Sequence, residues 1–398
     1  MPASIASDCG YYVDESDEDE VEDEAEPATR YVEGLYCPLR IGQVLGDSPL
    51  YRIEHKLGWG GYSTVWLARN LSEDRLVSLK VMSPGWRGDH ERHMNTKIIR
   101  SPVKGISDSL VLSREAFYFQ SHTGQTHGVL VFPWRGPSVQ HVCRTLAPSF
   151  RVAAAKHLLV GLKRLHAASI VHADINSGAA MWHIGSGFDR WSTSELYQHL
   201  GRPRKVLLCQ ELGGGELVHP VVFPSNMLRS GLNLGDFGHS MISGTVPRNP
   251  MQLPLLYCAP ERFHGFNPSY ASDIWGFTFV FARLYLGTEI TYGDGLTFVS
   301  RLVGTLGPFP VHWRGRYPHK CGYDWWYDQT GKTRPNGDYI TLEERIDYHR
   351  PEICPRERKL ALEVFRKGFH YIPEDRPTAA QFLDDPSFKA LMAYYPST

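Results

Sequence analysis

The sequence predicts an α+β protein with two lobes, a small antiparallel β-rich N-lobe and a larger, mostly helical C-lobe. Residues 51–68 indicate a strand, a turn and a strand, because β-branched and aromatic residues flank a glycine cluster, and residues 129–134 form a short apolar strand. Apolar residues recur at helical spacing over 150–166. The apolar run 274–286 contains Arg283 and is too short for a membrane span, so it predicts a buried helix.

Charge is distributed unevenly along the 398 residues. Residues 1–30 hold eleven acidic residues against Arg30, a net of −10, so that with −1 for the whole chain the rest carries about +9. The block 14–20 repels itself and contains no apolar residue, so burial cannot offset the entropy lost on folding. We therefore predict that residues 1–30 form a disordered acidic tail, dispensable for folding and only loosely attracted to the basic body.

The cysteine pattern and the N-terminal sequence indicate the cellular compartment. Seven cysteines form no Cys-x-x-Cys pair and no zinc spacing, so we expect reduced thiols and no metal cage. The N-terminus lacks the apolar core of a signal peptide, and no membrane association is expected. The predicted location is the cytoplasm, the nucleus or both.

Four motifs follow one another along the chain: Gly58-Trp59-Gly60, His172-Ala173-Asp174, Asp236-Phe237-Gly238 and Ala259-Pro260-Glu261. Chance accounts for any one of them, but their order and distances together resemble the signature set of the eukaryotic protein kinases. Residues 57–68, introduced by Cys37-Pro38 and Ile41-Gly42, are similar to the SR-protein kinases, in particular their fungal relatives. The resemblance covers residues 36 to about 392.

This resemblance implies the bilobal protein-kinase fold, with ATP and Mg²⁺ as cofactors. The implied boundaries are an N-lobe over 31–135 and a C-lobe over 136–398, the latter with insertions near 182–232 and 310–350. The first insertion, which contains three consecutive glycines, is expected to be a surface excursion with some local structure. In the second, Trp325-Trp326-Tyr327 is expected to pack locally rather than to dock a peptide.

The glycine-rich turn supplies the expected nucleotide contacts. Small residues let the backbone close over phosphate groups, where amide N–H groups face the charge. One strand further on, Lys80 stands where the catalytic lysine of kinases holds the α- and β-phosphates. The resemblance thus implies a nucleotide-binding set made of Leu57, Gly58, Trp59, Gly60, Gly61, Ser63, Val65 and Lys80.

A glutamate on the following helix should hold Lys80 in place. Over residues 89–98 the preferred register places His93 at the glutamate position and leaves Glu91 on a different helical face. Glu115 is a further candidate if residues 113–119 are helical. The sequence leaves the partner of Lys80 open.

The catalytic loop keeps one essential residue of the family and lacks others. The resemblance implies that Asp174 accepts the proton of the substrate hydroxyl and that Asp236 binds magnesium. Ala179 stands where an asparagine would bind a second magnesium ion, and its methyl group cannot coordinate a metal. Asn176 takes the place of a lysine near the γ-phosphate, and Ala173 replaces the arginine that would bind a phosphorylated activation loop.

Two internal contacts are also implied by the family. Asp273 is expected to brace the backbone of the catalytic loop. Glu261 is expected to form a buried ion pair with Arg376 that anchors the end of the activation segment. Loss of one partner would leave an unpaired buried charge, at a cost of about 3 to 5 kcal/mol.

Two hypotheses for the function stay open. The first is an SR-protein-kinase-like serine/threonine kinase that transfers the γ-phosphate of ATP to a protein, with catalysis weakened by Ala179. The family implies Arg/Ser-rich substrates, although a body near +9 is an awkward partner for arginine-rich chains. The second is a pseudokinase that acts as a binding or scaffold module. In either case we expect a monomer with a protein partner and no direct nucleic-acid contact.

Overall fold

A computed structural model describes residues 8–121, 124–209, 214–247, 255–317, 323–332 and 339–396. The described strands are β1 (Tyr11–Tyr12), β2 (Val44–Leu45), β3 (Tyr51–Gly60), β4 (Ser63–Asn70), β5 (Arg75–Met82), β6 (Glu115–Gln120), β7 (Thr126–Pro133), β8 (Ile170–Val171), β9 (Ala180–Ile184), β10 (Arg204–Leu207), β11 (Glu216–Val218), β12 (Leu228–Leu234) and β13 (Met241–Ile242). The described α-helices are α1 (Glu18–Glu24), α2 (Thr29–Val32), α3 (Trp86–Ile99), α4 (Ile106–Ser109), α5 (Pro148–Ala153), α6 (Ala155–Ala167), α7 (Thr193–Leu200), α8 (Pro260–Phe263), α9 (Tyr270–Leu286), α10 (Gly295–Leu306), α11 (Leu342–His349), α12 (Pro355–Gly368), α13 (Ala379–Asp384) and α14 (Pro386–Met392).

These elements form two compact units. The β-rich unit contains the described residues within 8–97, 111–137 and 183–229, and the helical unit contains the rest of the described chain. The β-rich unit is built on a six-stranded antiparallel sheet in the order β2-β3-β4-β5-β7-β6. The predicted strand pair around the glycine turn is present as β3 and β4, and β7 contains most of the predicted strand 129–134.

The core of this sheet follows from the alternation of side chains along its strands. Tyr51, Ile53, Trp66 and Leu79 are fully buried and belong to one hydrophobic cluster. Because successive residues of a strand point to opposite faces, Tyr51 and Ile53 reach the same face of β3. Burying apolar surface at about 25 cal/mol per Å² makes such a cluster the main source of stability for the unit.

The N-terminal acidic segment is folded from residue 8 onward, so the predicted disorder of residues 1–30 is wrong for its described part. β1 pairs in parallel with β10, which pairs antiparallel with β11. Val21 of α1 is fully buried in a small cluster with Leu217. Glu20 belongs to the acidic block 14–20, whose charges were expected to repel one another. It accepts a hydrogen bond from Arg204 at 2.8 Å. These partners are distant in sequence, so composition alone does not reveal them.

The first predicted insertion is also integrated into the fold. Residues 183–229 belong to the β-rich unit, instead of forming a surface excursion from the C-lobe. The carbonyl of Trp191 accepts a hydrogen bond from Arg69 of β4 at 2.6 Å. Thr193 donates to the buried carboxylate of Glu54 in β3 at 3.1 Å. The polar strand residues therefore find their partners in this segment, which the sequence predicted to be a surface excursion with some local structure.

The helical unit is organised around α9, which confirms the predicted buried helix. A capping box between Ser269 and Ser272 begins the helix, since each side-chain oxygen accepts a hydrogen bond from the backbone N–H of the other residue. Gly287 ends it in the left-handed conformation, at a φ of +81°, where a side chain would be strained. Phe281 packs against Phe365 of α12 and Phe388 of α14, with ring centroids 5.4 and 5.8 Å away.

Two further predictions for this unit have different outcomes. The helix expected over 150–166 is present as two helices, α5 and α6, separated at Ala154. Trp326, in the insertion near 310–350, is fully buried and its indole donates to Ser300 at 3.1 Å. Local packing of this tryptophan segment is thereby confirmed for the described part of the insertion.

None of the helices within the described ranges is long and apolar enough to cross a membrane. The six cysteines in those ranges form no disulfide bond, whereas Cys321 lies outside the described residues. Burial raises the pKa of the Cys37 thiol to about 12. Cys37 is therefore protonated at neutral pH and packs in the sheet core as a small apolar side chain.

Candidate active site

The glycine-rich turn joins β3 to β4 in the β-rich unit. Gly58 pairs with Val65 and Gly60 with Ser63 across the two strands, and only two residues form the turn between them. A Cβ atom added at Gly58, Gly60 or Gly61 would have no described atom within 4 Å. Packing inside the protein does not require these glycines, and the open space over the backbone suits the close approach of a phosphate.

Lys80 lies on β5 and is held by an ion pair with Glu91 of α3 at 2.8 Å. The side chain of Glu91 is only 1% exposed, and Lys80 is 15% exposed. Val65 is directly opposite Lys80 in the β4–β5 ladder, so the ladder links the lysine to the strand that follows the glycine turn. The pair gives this unit the lysine–glutamate arrangement that phosphoryl transfer in kinases requires.

Glu91 was missed because the preferred register of the helix was wrong. His93 is exposed, and Glu115 lies on strand β6, where it accepts a hydrogen bond from Tyr51. The buried residues of α3 include Glu91, Met94 and Ile98, which recur at helical spacing on one face. The spacing of Met94 and Ile98 was the signal that would have placed Glu91 on the buried face. The helix is so polar overall that this pattern is weak.

A hydrogen-bond network in the helical unit supports the catalytic loop. Asp273 accepts from the backbone N–H groups of His172 and Ala173 at 2.8 and 2.9 Å, which confirms the predicted brace. It also contacts the imidazole of His166 at 2.9 Å. Ala173 has a φ of +65°, an unusual conformation for a residue with a side chain. The Asp273 carboxylate thus stabilises a strained backbone directly before Asp174.

Asn176 has both ends of its side-chain amide occupied within the loop. Its nitrogen donates to the carbonyl of Asp174 at 3.0 Å. Its oxygen accepts from the backbone N–H groups of Gly178 and Ala179 at 2.8 and 3.1 Å. In this arrangement Asn176 stabilises the shape of the loop, so its amide does not replace the phosphate-binding lysine of the family.

The magnesium-binding motif is fixed next to Ala179. The backbone N–H of Gly235 donates to the carbonyl of Ala179 at 2.8 Å, which places the two chain segments side by side. The side chain of Ala179 is fully buried. An asparagine there would bring an amide oxygen beside Asp236, but a methyl group offers no lone pair to a metal. The helical unit therefore lacks one ligand of the kinase pattern.

His172 connects the catalytic loop to the aspartate that follows Gly235. Its Nε2–H donates to the carbonyl of Gly235 at 2.9 Å, and its Nδ1 accepts weakly from the N–H of Asp174 at 3.4 Å. The ring packs against the fully buried Phe237 at a centroid distance of 5.3 Å. Asp236 itself adopts the left-handed conformation at a φ of +61°. The two carboxylates of the predicted site are thus positioned through one imidazole.

The activation segment is tied to the catalytic loop by a second polar chain. Ser177 contacts the hydroxyl of Tyr257 at 2.6 Å, and Tyr257 donates to Glu289 at 2.6 Å. Burial raises the pKa of the Tyr257 hydroxyl, which therefore stays protonated and keeps both bonds. This permanent contact fits a segment that does not rely on phosphorylation, in agreement with the alanine at position 173.

Glu261 and Arg376 form the predicted buried ion pair. Both guanidinium nitrogens of the arginine donate to the carboxylate at 2.7 Å, and the two side chains are 2% and 0% exposed. Arg376 also donates to the carbonyl of Ala271 at 2.9 Å and lies over the ring of Trp275 at 5.0 Å. The remaining donors are thus satisfied, as a buried bidentate pair requires.

The donor set of the helical unit fits a magnesium ion that ATP brings with it. Within the described ranges, no group of three or more His, Cys, Asp or Glu residues could hold a metal on its own. Magnesium keeps several waters and binds through one or two carboxylates together with phosphate oxygens. Asp236 supplies such a carboxylate. The residues present therefore fit one nucleotide-bound metal ion and not an all-protein metal cage.

Relatives among known proteins support the same fold. A serine/threonine protein kinase of Aspergillus fumigatus is 26% identical over 386 residues, which cover 92% of this chain and 90% of that kinase. SRSF protein kinase 3 of the mouse is 40% identical over 191 residues, 45% of this chain and 33% of that kinase. The second match thus spans about a third of the relative's length.

The crystal structure of a kinase domain superposes with a TM-score of 0.61 and 15% sequence identity, and covers 89% of this chain and 99% of that domain. At this identity the likeness concerns the fold alone. No protein-family model matches the chain. One unit is built on an antiparallel sheet and the other is mostly helical. Together with the superposition, this gives the chain an α+β protein-kinase fold.

Proposed function

We propose that this chain, which is similar to the eukaryotic serine/threonine protein kinases and to SR-protein kinases among them, is an ATP-dependent protein serine/threonine kinase with weakened catalysis. The observation that carries the proposal is the ion pair between Lys80 and Glu91. A lysine that reaches phosphate needs a buried carboxylate to hold it, and this pair is one of the parts that must be in place for transfer. A module that needed no nucleotide would gain nothing from it.

Each retained residue has a defined role in this reaction. Lys80 binds the α- and β-phosphates, and the backbone amides of residues 58–61 face the phosphate charge. Asp174 orients the substrate hydroxyl and accepts its proton. The hydroxyl oxygen forms a bond to the γ-phosphorus as the bond to the ADP oxygen breaks. Asp236 would hold the Mg²⁺ that comes with ATP, and this ion would supply positive charge to the phosphates.

Ala179 is the reason for proposing slow transfer. Without the asparagine ligand, a second magnesium ion is held by water and nucleotide alone. Loss of one electrostatic contact to the transition state lowers a rate by about 10²- to 10³-fold. The buried methyl group of Ala179 also favours the alternative, a pseudokinase that binds ATP and acts as a scaffold, because the amide of Asn176 is engaged within the loop and does not replace the missing ligand.

The proposed substrate is a serine or threonine in another protein. The similarity to SR-protein kinases suggests Arg/Ser-rich proteins as one substrate class. General basic proteins are the other class to be tested. We propose that the chain acts as a monomer in the cytoplasm or nucleus, where its thiols would remain reduced.

A transfer assay with radiolabelled ATP tests the function. The wild type is incubated with an Arg/Ser peptide and, separately, with a general basic protein, beside Asp174→Ala and Lys80→Met. We expect slow, magnesium-dependent labelling by the wild type on at least one substrate and none by either variant. ATP binding without labelling would support the pseudokinase. No binding at millimolar ATP would refute the kinase and leave a pseudokinase that acts without nucleotide.

A further inference from the structure

The glycine turn is contacted by the segment that leads into the kinase-like sequence, up to and including its first residue, Tyr36. We call residues 8–36 the N-terminal strap. The hydroxyl of Tyr36, a residue 3% exposed, donates to the carbonyl of Gly60 at 2.6 Å. The indole of Trp59 donates to the carbonyl of Glu24, at the end of α1, at 3.3 Å. Two residues of the strap therefore bind two adjacent residues of the turn.

A buried ion pair anchors the strap to the strand that leads into the turn. Glu26 pairs with Lys56 of β3, and both side chains are fully buried. The same carboxylate accepts a hydrogen bond from Tyr31, and the ammonium group lies 4.0 Å from the ring centroid of Trp66. Lys56 is two residues before Gly58, so the anchor fixes the strap close to the glycines. A buried pair of this kind resists local opening because either charge alone would be costly.

The Tyr36 bond controls the direction of a backbone amide. A trans peptide group is planar, so the carbonyl of Gly60 and the N–H of Gly61 point in opposite directions. Holding the carbonyl toward the strap therefore directs the Gly61 N–H away from it. Glycines permit many peptide orientations, and no described atom within 4 Å of an added Cβ restricts Gly60 or Gly61. The tyrosine hydroxyl therefore adds a restraint to the pairing of Gly60 with Ser63.

We propose that the N-terminal strap holds the glycine turn in its phosphate-binding shape and that Tyr36 is a positioning residue for ATP. The ligand class follows from the proposed kinase function, on which this role rests: the phosphates of a nucleoside triphosphate. Tyr36 acts through the Gly60–Gly61 peptide and touches no substrate. The acidic residues of α1 remain on the exposed side of the strap, while Tyr31, Tyr36 and Glu26 are buried.

The test uses the full chain and a variant that removes one oxygen atom. Tyr36→Phe keeps the ring in place and deletes only the donor to Gly60. Tyr12→Phe is the matched control, because it removes a hydroxyl of the same strap that donates to Glu216 at 2.8 Å instead of to the turn. Amide hydrogen exchange is followed without nucleotide, and the dissociation constant for Mg·ATP is measured separately.

A hydrogen bond contributes about 0.5 to 1.5 kcal/mol net, so we expect exchange at residues 58–62 to rise about two- to tenfold in Tyr36→Phe. The dissociation constant for Mg·ATP should rise by a similar factor, while the control changes neither quantity and exchange in β4 and β5 stays as in the wild type. Unchanged exchange at the turn, or an equal rise throughout the sheet, would overturn the positioning role. If exchange rises at the turn but the wild type itself binds no ATP, the kinase proposal fails separately, and the role toward ATP fails with it.

Discussion

The lysine region of the β-rich unit and the catalytic loop of the helical unit have departed from the kinase pattern to different degrees. In the first region Lys80 keeps a buried glutamate partner, and the glycine turn is held from outside by Tyr36. In the second, Asp174 follows a braced backbone, but Ala179 offers no metal ligand. The difference teaches that nucleotide binding and transfer rest on separate side chains, so that one can weaken while the other is kept.

The largest effect expected is on stability, and it tests how far the β-rich unit depends on the strap. Deletion of residues 1–30 removes Glu26 and leaves Lys56 buried without its partner. We expect a loss of about 3 to 5 kcal/mol and a clear fall in melting temperature. Combining the deletion with Lys56→Met should recover part of that loss, since the unpaired charge is gone. An unchanged melting temperature after the deletion would contradict the observed packing.

The second prediction concerns a substitution in the lysine region of the β-rich unit. Glu91→Gln removes the negative charge beside Lys80, and we expect kcat/KM to fall about 10²- to 10³-fold, the size expected when one electrostatic contact to the transition state is lost. His93→Gln alters an exposed residue of the same helix and serves as the control. Steady-state kinetics of both variants decide the matter. Equal losses in the two would mean that the helix register found here is not the functional one.

A third experiment repairs the weaker region. Ala179→Asn restores the missing ligand, and we expect the transfer rate at saturating magnesium to rise about 10- to 10³-fold. The dissociation constant for ATP should change much less, because Lys80 and the glycine turn are untouched. Asp174→Ala in the repaired protein is the control and should abolish the gain. A tighter ATP affinity with no faster transfer would argue for a scaffold role.

The smallest effect concerns acid stability, to which one histidine in each unit contributes. Burial lowers the pKa of His55 to about 4 and also lowers the pKa of His264. The unfolded chain binds a proton at each imidazole as pH falls below about 6.5, while the folded chain does not. The contribution of His55 to stability is therefore fully present above that pH and is lost as the pH falls toward about 4, at up to about 1.4 kcal/mol per pH unit.

Urea unfolding at pH 7.5, 6.5 and 5.5 measures this slope. We expect His55→Gln to reduce it between pH 6.5 and 5.5 by the share of one imidazole, because burial also lowers the pKa of His264, His127 and His157, which continue to titrate. The backbone N–H of Lys56 donates to His55 at 2.8 Å, and glutamine offers an acceptor for the same bond. A slope identical to that of the wild type would show that His55 is not the group responsible.

Much of the fold could be predicted from local patterns. Strands β3 and β4 and helix α9 carry strong local signals, and the contacts of Asp273 and Arg376 follow from the family once the motifs are identified. Glu91 could not be placed with the same security, because a polar helix shows little periodicity. The prediction of disorder for the strap was wrong for another reason. Helix α1 consists of seven residues, of which Val21 alone is buried, and its partners lie near residue 217. Such long-range contacts leave no local trace.

The catalytic loop shows the same limit at the level of single side chains. The sequence identifies Ala179 as a lost ligand, but it does not show that Asn176 is fully engaged by its own loop. The hydrogen bonds of Asn176 depend on the path of the backbone from Asp174 to Ala179, which the residue types alone do not determine.

The most direct test of the account is a magnesium titration of the wild type in which ATP binding and phosphate transfer are measured side by side. A single ion held by Asp236 should saturate ATP binding at a lower magnesium concentration, while the transfer rate keeps rising as a second ion binds weakly through water and nucleotide. Binding and transfer that saturate together, with fast turnover at low magnesium, would contradict the claim that Ala179 separates nucleotide binding from catalysis.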